Sequence, residues 1–343
     1  MMNYEMFKGI IQSEFKNCLT GEFKDMEVKF SVTNKVNRNM DTITLIPNDK
    51  VMSEGKVVSP SIYINDLYES YKEKENIQMI LQEAAKKMMD EYWNGQKFIP
   101  KIENVEELKK HIVFQLINAA QNEELLKTAP HKEFEDLAII FRAVVDKEPG
   151  EGISSSVITN EFAEALGLSA EELFQLAATN TKEIFPIKIS TMEEVMRELF
   201  AKDGMPEEVI DMMVPEMPEE NKMHIITNEC GINGAGSMLY EKELGELADK
   251  IGSDLYILPS SLHEVIAVPA GPVKDPMELA EMVQQINMSQ VALEDRLSNQ
   301  VYMYDRTERK LALATDTPYK RLDGQNTSVA EKKQVYEAGK TKR

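Results

Sequence analysis

Two rhythms of apolar and polar positions alternate along the chain. The first is helical: Met6, Phe7, Ile10, Ile11, Phe15 and Leu19 fall on one stripe, which predicts an amphipathic helix over 4–19. The second has a period of two. Val28, Phe30 and Val32 alternate with polar residues, Asn37-Arg38-Asn39 supplies a turn, and Ile43 to Ile46 supplies the returning strand. Val57 to Ile64 reads as a third strand interrupted by Pro60. A long helix follows over 65–93, ended by Asn94-Gly95.

The rhythms then switch repeatedly. A helix over 105–110 runs into an apolar strand, His111 to Ile117, and a short helix covers 121–127 before Ala129-Pro130 breaks the chain. Leu137 to Val145 predicts a buried strand and Ile153 to Ile158 another. Ser169-Ala170-Glu171-Glu172 and Thr191-Met192-Glu193-Glu194 are capping boxes, each opening a helix, with an extended segment around Pro186 between them. After the proline-rich stretch Val214 to Pro218, Met223 to Thr227 predicts a strand and Gly231 to Gly236 a loop. A helix over 239–251 is closed by Gly252. Strands at Leu255 to Leu258 and Glu264 to Val268 flank Pro259-Ser260-Ser261. Asp275-Pro276-Met277-Glu278 starts a helix with an Asp cap and Pro at its first position. Gln300 to Tyr304 and Leu311 to Ala314 form a last hairpin.

This order predicts an α+β protein of three successive helix/antiparallel-strand blocks, with mixed or antiparallel sheets covered by helices. The expected divisions are 1–100, 101–220 and 221–325, followed by a basic tail, 326–343. Residues 111–180 and 223–290 share the order strand, helix, strand, strand, helix, although residue identities do not repeat.

Composition adds less than pattern does. The 343 residues are 42% hydrophobic and 29% charged, enough apolar material for a sizeable core. Net charge is −20, which should repel phosphate backbones and argues against direct nucleic-acid binding. The charge is uneven. Residues 326–343 hold five basic and two acidic side chains, a net +3, which leaves −23 for residues 1–325. Residues 191–220 hold ten acidic side chains and two basic ones, interleaved with methionines. The opening residues lack a basic-then-apolar leader, and no apolar run approaches the ~18–20 residues that span a bilayer. Cys18 and Cys230 make neither a disulfide framework nor a metal site. The expectation is a soluble cytoplasmic protein with no membrane contact and no cofactor.

No residue pattern identifies a reaction, but three segments carry candidate chemistry. The Gly231–Gly236 loop lies between a predicted strand and helix, where helix-start amides could hold an anion. Its candidate ligand-binding residues are Asn233, Gly234 and Gly236. The spacing G-x-x-G-x-G matches neither the dinucleotide fingerprint nor a P-loop, Glu229 and Glu241 flank it and would oppose an anion, and a tight turn explains it without any ligand. The turn carrying Ser260, Ser261, His263 and Glu264 gathers two hydroxyls, an imidazole and a carboxylate, the groups of a nucleophile–base–orienter set. It lacks a G-x-S-x-G elbow, and the same residues suit a structural turn. The four histidines, His111, His131, His224 and His263, show no ligand spacing, so no metal is expected. Met205, Met212, Met213 and Met217 lie in the acidic stretch, where flexible thioethers suit an adaptable partner surface and the Pro215 and Pro218 region suits a mobile flap.

Pro130-His131-Lys132-Glu133-Phe134, Asp136-Leu137-Ala138, the Asn233-Gly234-Ala235 loop and the run Tyr256 to Ile266 together resemble an uncharacterised bacterial family of unknown function common in anaerobic gut bacteria. The resemblance covers most of residues 3–320. Ser169 to Thr181 is also similar to a second uncharacterised bacterial family. The first likeness implies a bacterial cytoplasmic origin and an α+β fold, and it supplies no catalytic residue. Three functions follow as expectations: a non-enzymatic, adaptor-type protein that binds a protein partner; a small-ligand enzyme or hydrolase using the 260–264 turn beside the 231–236 loop; and an acidic mimic of nucleic acid.

Overall fold

The computed structural model describes residues 1–46, 59–98, 105–148, 152–271 and 275–324, so the basic tail, 326–343, lies outside the described residues. The chain forms an α+β fold with three antiparallel sheets. It divides into two compact units, Met1–Leu108 and Lys109–Arg343.

The first unit begins with α1, Tyr4–Glu14, capped where the Asn3 side chain accepts from the Met6 amide. The helical path continues through two 3-10 turns, Phe15–Cys18 and Gly21–Asp25. Phe7, Ile11, Phe15 and Leu19 are buried, whereas Met6, expected on the same stripe, faces solvent. β1, Glu27–Lys35, pairs with β2, Arg38–Ile46, around a two-residue turn in which Asn37 adopts φ +62°. β3, Ser61–Tyr63, adds to β2. Residues 57 and 58, also expected to extend it, lie outside the described residues.

The expected single helix 65–93 is two helices, α2, Ile64–Lys74, and α3, Ile77–Phe98. They separate at Glu75, whose φ of +51° caps α2, and the Asn76 side chain then caps α3 by accepting from the Met79 amide. The break needs neither Gly nor Pro, so the pattern does not announce it. Its purpose is packing: both helices contribute to one core, where Tyr71, Ile80, Ala84, Met88 and Tyr92 meet Phe7, Ile11, Ile43 and Leu45.

The second unit holds the other two sheets. In the first of them β4, Ile112–Asn118, pairs with β6, Leu137–Glu148. The far edge of β6 takes β5, His131–Phe134, and β7, Gly152–Val157. β5 was not expected from the sequence. A helix, Ala170–Ile184, covers the open edge of β4. The Thr181 hydroxyl accepts from the Phe114 amide at 3.0 Å, and the Asn180 amide donates to the carbonyls of Lys109 and Ile112. Edge groups that would otherwise stay unpaired are thereby satisfied.

The last sheet has six strands in the order Lys310–Leu313, Tyr302–Asp305, Leu255–Leu258, Val265–Pro269, His224–Asn228 and Ile187–Thr191. The segment around Pro186 therefore belongs to this sheet, since Ile187–Thr191 pairs with His224–Asn228. The acidic stretch is then an excursion between two neighbouring strands, built from helices Met192–Lys202 and Glu207–Met213. The sequence pattern announced neither the second of these nor helix Asn160–Leu166, which Thr159 caps. Both capping boxes form as the sequence predicts. Among the described residues no helix is long and apolar enough to cross a membrane.

Candidate functional site

The two loops singled out by sequence meet. After strand His224–Asn228, the Asn228 side chain shapes the loop, donating to the Ile232 carbonyl and accepting from the Cys230 amide. Asn233 takes φ +53° and starts a 3-10 turn, Gly234–Leu239. Gly234 is required by space. A Cβ there would stand 2.2 Å from Thr227 Oγ1, 2.6 Å from the His263 carbonyl oxygen and 2.7 Å from the Asn228 nitrogen. A Cβ at Gly236 would stand 2.8 Å from the Phe114 ring of β4. The glycines seat the loop against the 259–264 turn on one side and β4 on the other, which differs from cradling a phosphate.

The turn is tied down equally firmly. The Leu262 amide donates to the Asp295 carbonyl at 2.7 Å, and the Ala235 amide donates to the Leu262 carbonyl at 3.1 Å. Ser261 is buried, and its hydroxyl oxygen accepts from the His263 backbone N–H. The His263 ring is occupied at both nitrogens. Nδ1 accepts from the Asn233 amide at 3.2 Å, which places the neutral ring's proton on Nε2, 3.3 Å from Asp295 Oδ1. The carboxylate that meets the imidazole is thus Asp295 and not Glu264. A general base needs a free lone pair within reach of the nucleophile's proton. In this arrangement the ring offers none to Ser260 or Ser261.

The bonded chain continues inward from Asn233. Its side-chain oxygen accepts from Gln115 Nε2 at 2.9 Å, and Gln115 Oε1 accepts from Arg142 Nη1 at 3.3 Å. Arg142 also donates from Nε to the Ser155 hydroxyl and from Nη2 to the Ser155 carbonyl, both at 2.9 Å. Beside it is a cavity of about 20 Å³, lined by Gln115, Arg142, Asn228, Asn233, Ser237 and Tyr240 among others. Burial lowers the Arg142 pKa, and burial with the nearby Glu243 raises that of the Tyr240 hydroxyl.

A second polar group lies between the two sheets of this unit. Asp136 accepts from Ser298 Oγ at 2.6 Å and from the buried Tyr302 hydroxyl. Burial raises the Asp136 pKa even though both bonds favour its charge, and burial beside Asp136 raises that of Tyr302. Gln300 pairs with Thr315 and Thr317, and Asn287 donates to the Ser298 carbonyl. These bonds tie the 298–317 segment into the core. Buried His224 stands apart: neither ring nitrogen has a partner among the described residues. Among the described residues no group of three or more His, Cys, Asp or Glu could hold a metal ion.

In the acidic excursion Met212 is 84% exposed, and Met213 and Met217 are also exposed. Met205 differs, being half-buried at the turn between the two helices. Leu199 and Val209 add exposed apolar surface that the sequence reading did not single out. Arg197 ties the excursion together, meeting Asp211 at 2.5 Å and donating to the Val214 carbonyl at 2.9 Å.

Sequence reasoning also passed over Gln115, Arg142, Asp295 and the Asp136–Tyr302 pair. Arg142 left a signal, as the single charge inside the apolar run Leu137 to Val145. Gln115 and Asp295 left none, because their partners are far away in the chain.

Neither the curated proteins nor the solved structures include a match to this chain. A family model described as a family of unknown function, DUF5688, matches residues 4–306. That span takes in every strand but the last and both loops of the site, and the chain belongs to this family.

Proposed function

We propose that this protein binds a protein partner through the acidic, methionine-rich excursion at 192–223. The observation that carries the reading is exposure. Leu199, Val209, Met212, Met213 and Met217 all face solvent in a stretch where acidic side chains far outnumber basic ones. Exposed apolar side chains in a polar rim suit a contact surface, and thioethers adapt to irregular partner shapes. The surrounding carboxylates favour a partner with a basic rim and would speed its encounter. The excursion is joined at both ends to paired strands, so its contacts are presented from a fixed base. The hydrolase reading gains no such support, since both nitrogens of His263 are engaged away from the serines.

The test is a photo-crosslinking residue placed at Met212 and, as control, at exposed Glu308. The expected result is a defined protein adduct at position 212 alone. Unlabelled wild-type chain should compete it away, and a Met213→Asp/Met217→Asp chain should not. Identical adducts at both positions, or adducts that the double variant competes equally, would contradict the proposal.

A further inference from the structure

The cavity beside Arg142 holds a cation without an acid. Arg142 is half-buried, and its hydrogen bonds go to two neutral side chains and a backbone carbonyl. Among the described residues no carboxylate pairs with it. A guanidinium has five N–H groups, and the bonds to Ser155 and Gln115 use three of them, one at a long 3.3 Å. Two remain undirected. A cation drawn out of water is costly unless an opposite charge or full hydrogen bonding offsets that loss.

We propose that this cavity binds a small monoanion, of halide or carboxylate-group size, against the Arg142 guanidinium.

Size sets the class of ligand. A volume of about 20 Å³ suits a particle close to a water molecule and is too small for a phosphate. The walls set the strength. Val113, Val144 and Phe185 form an apolar cluster on one side, so the field of the guanidinium there is poorly screened. The glycine loop sets the shape. Gly236 packs on Phe114 and brings Ser237 and Tyr240 to the cavity wall, while the Gln115 bond holds Asn233 at its rim. The anion could be a free inorganic ion or the carboxylate of a small organic ligand. The recognising chemistry is the same for both, and it lies apart from the exposed methionine surface.

The experiment reads the melting temperature of the full chain in gluconate buffer at fixed ionic strength, titrated separately with chloride, formate and inorganic phosphate. Chloride, formate or both should raise the temperature along a saturating curve, and phosphate should match gluconate. A chloride response marks an inorganic ion, and a response to formate alone marks a carboxylate ligand. Arg142→Gln should weaken the apparent affinity at least about tenfold, while Lys242→Gln should leave it unchanged. An equal rise with chloride, formate and phosphate, no rise with either small anion, or an undiminished response in Arg142→Gln would overturn the proposal. If Arg142→Gln does not fold, the chloride NMR line width with native protein decides. Excess broadening that formate abolishes supports the site; broadening that formate leaves unchanged refutes it, as does no excess broadening together with no formate-induced rise in the native melting temperature.

Discussion

The two compact units are held by different means. In the first, Phe7, Ile11, Phe15, Leu19, Ile43 and Met88 are fully buried, and the rings of Phe7, Tyr68 and Tyr71 lie 5.2 to 6.2 Å apart. Among the described residues of this unit the buried polar groups are few, chiefly Asn37 and Thr42. In the second unit, apolar strands surround a dense set of buried amides and hydroxyls, including Gln115, Asn228, Asn287, Ser298, Asn299 and Gln300. The first unit draws its stability mainly from area removed from water, which is non-directional. The second depends on directed bonds between distant segments, and each becomes costly when one partner is lost. That difference places candidate chemistry in the second unit, because directed polar groups can be arranged around a ligand.

The largest expected effect tests the apolar side of the comparison. Phe7→Ala removes a fully buried ring and should destabilise the first unit by about 3–5 kcal/mol in urea unfolding. Gly234→Ala tests the other side. Its Cβ would collide with Thr227, with backbone at His263 and with backbone at Asn228, so a loss of about 3 kcal/mol is expected, together with weakened His263–Asn233 pairing by NMR.

A smaller effect depends on pH. Burial, chiefly, lowers the His224 pKa, with Lys250 and Lys222 acting in the same direction and Glu219 and Glu193 against it. The unfolded chain therefore takes up this proton first. The stabilisation is complete above the ordinary histidine value, about 6.5, and is lost as pH falls toward the lower native value. His224→Leu should flatten this part of the stability profile, and an unchanged slope would show that another group carries it. The smallest effect is expected at the excursion. Met213→Asp should change stability by no more than about 0.5 kcal/mol while abolishing the crosslink from position 212, which would separate binding surface from core.

Local features of the fold were readable from the sequence. Ser169 with Glu172 and Thr191 with Glu194 close their capping boxes, Asp275 caps its helix, and Asn37 turns the first hairpin. Each is decided by residues within one turn of each other. The break at Glu75 was hidden, because tertiary packing imposed a left-handed backbone on a residue that does not favour it. The site was half legible. The glycines and His263 stood out, and their loops do meet. The structure gives them packing and turn roles, and the bonds that extend the site are not local: Gln115 bonds Asn233 across 118 residues and Tyr302 bonds Asp136 across 166. Such pairs leave no local spacing, and only the lone charge of Arg142 in an apolar strand hinted at them.

The most direct test of directed bonding in the second unit is amide hydrogen exchange on Gln300→Leu. This change puts an apolar side chain of similar size in place of the amide and removes the partner of Thr315 and Thr317. The account predicts lost protection at Val301 and Thr317, whose amides depend on that cluster, with Ile257 and Ala267 in the central strands still protected. Unchanged protection at Val301 and Thr317 would contradict it, and would mean that apolar burial alone holds the segment in place.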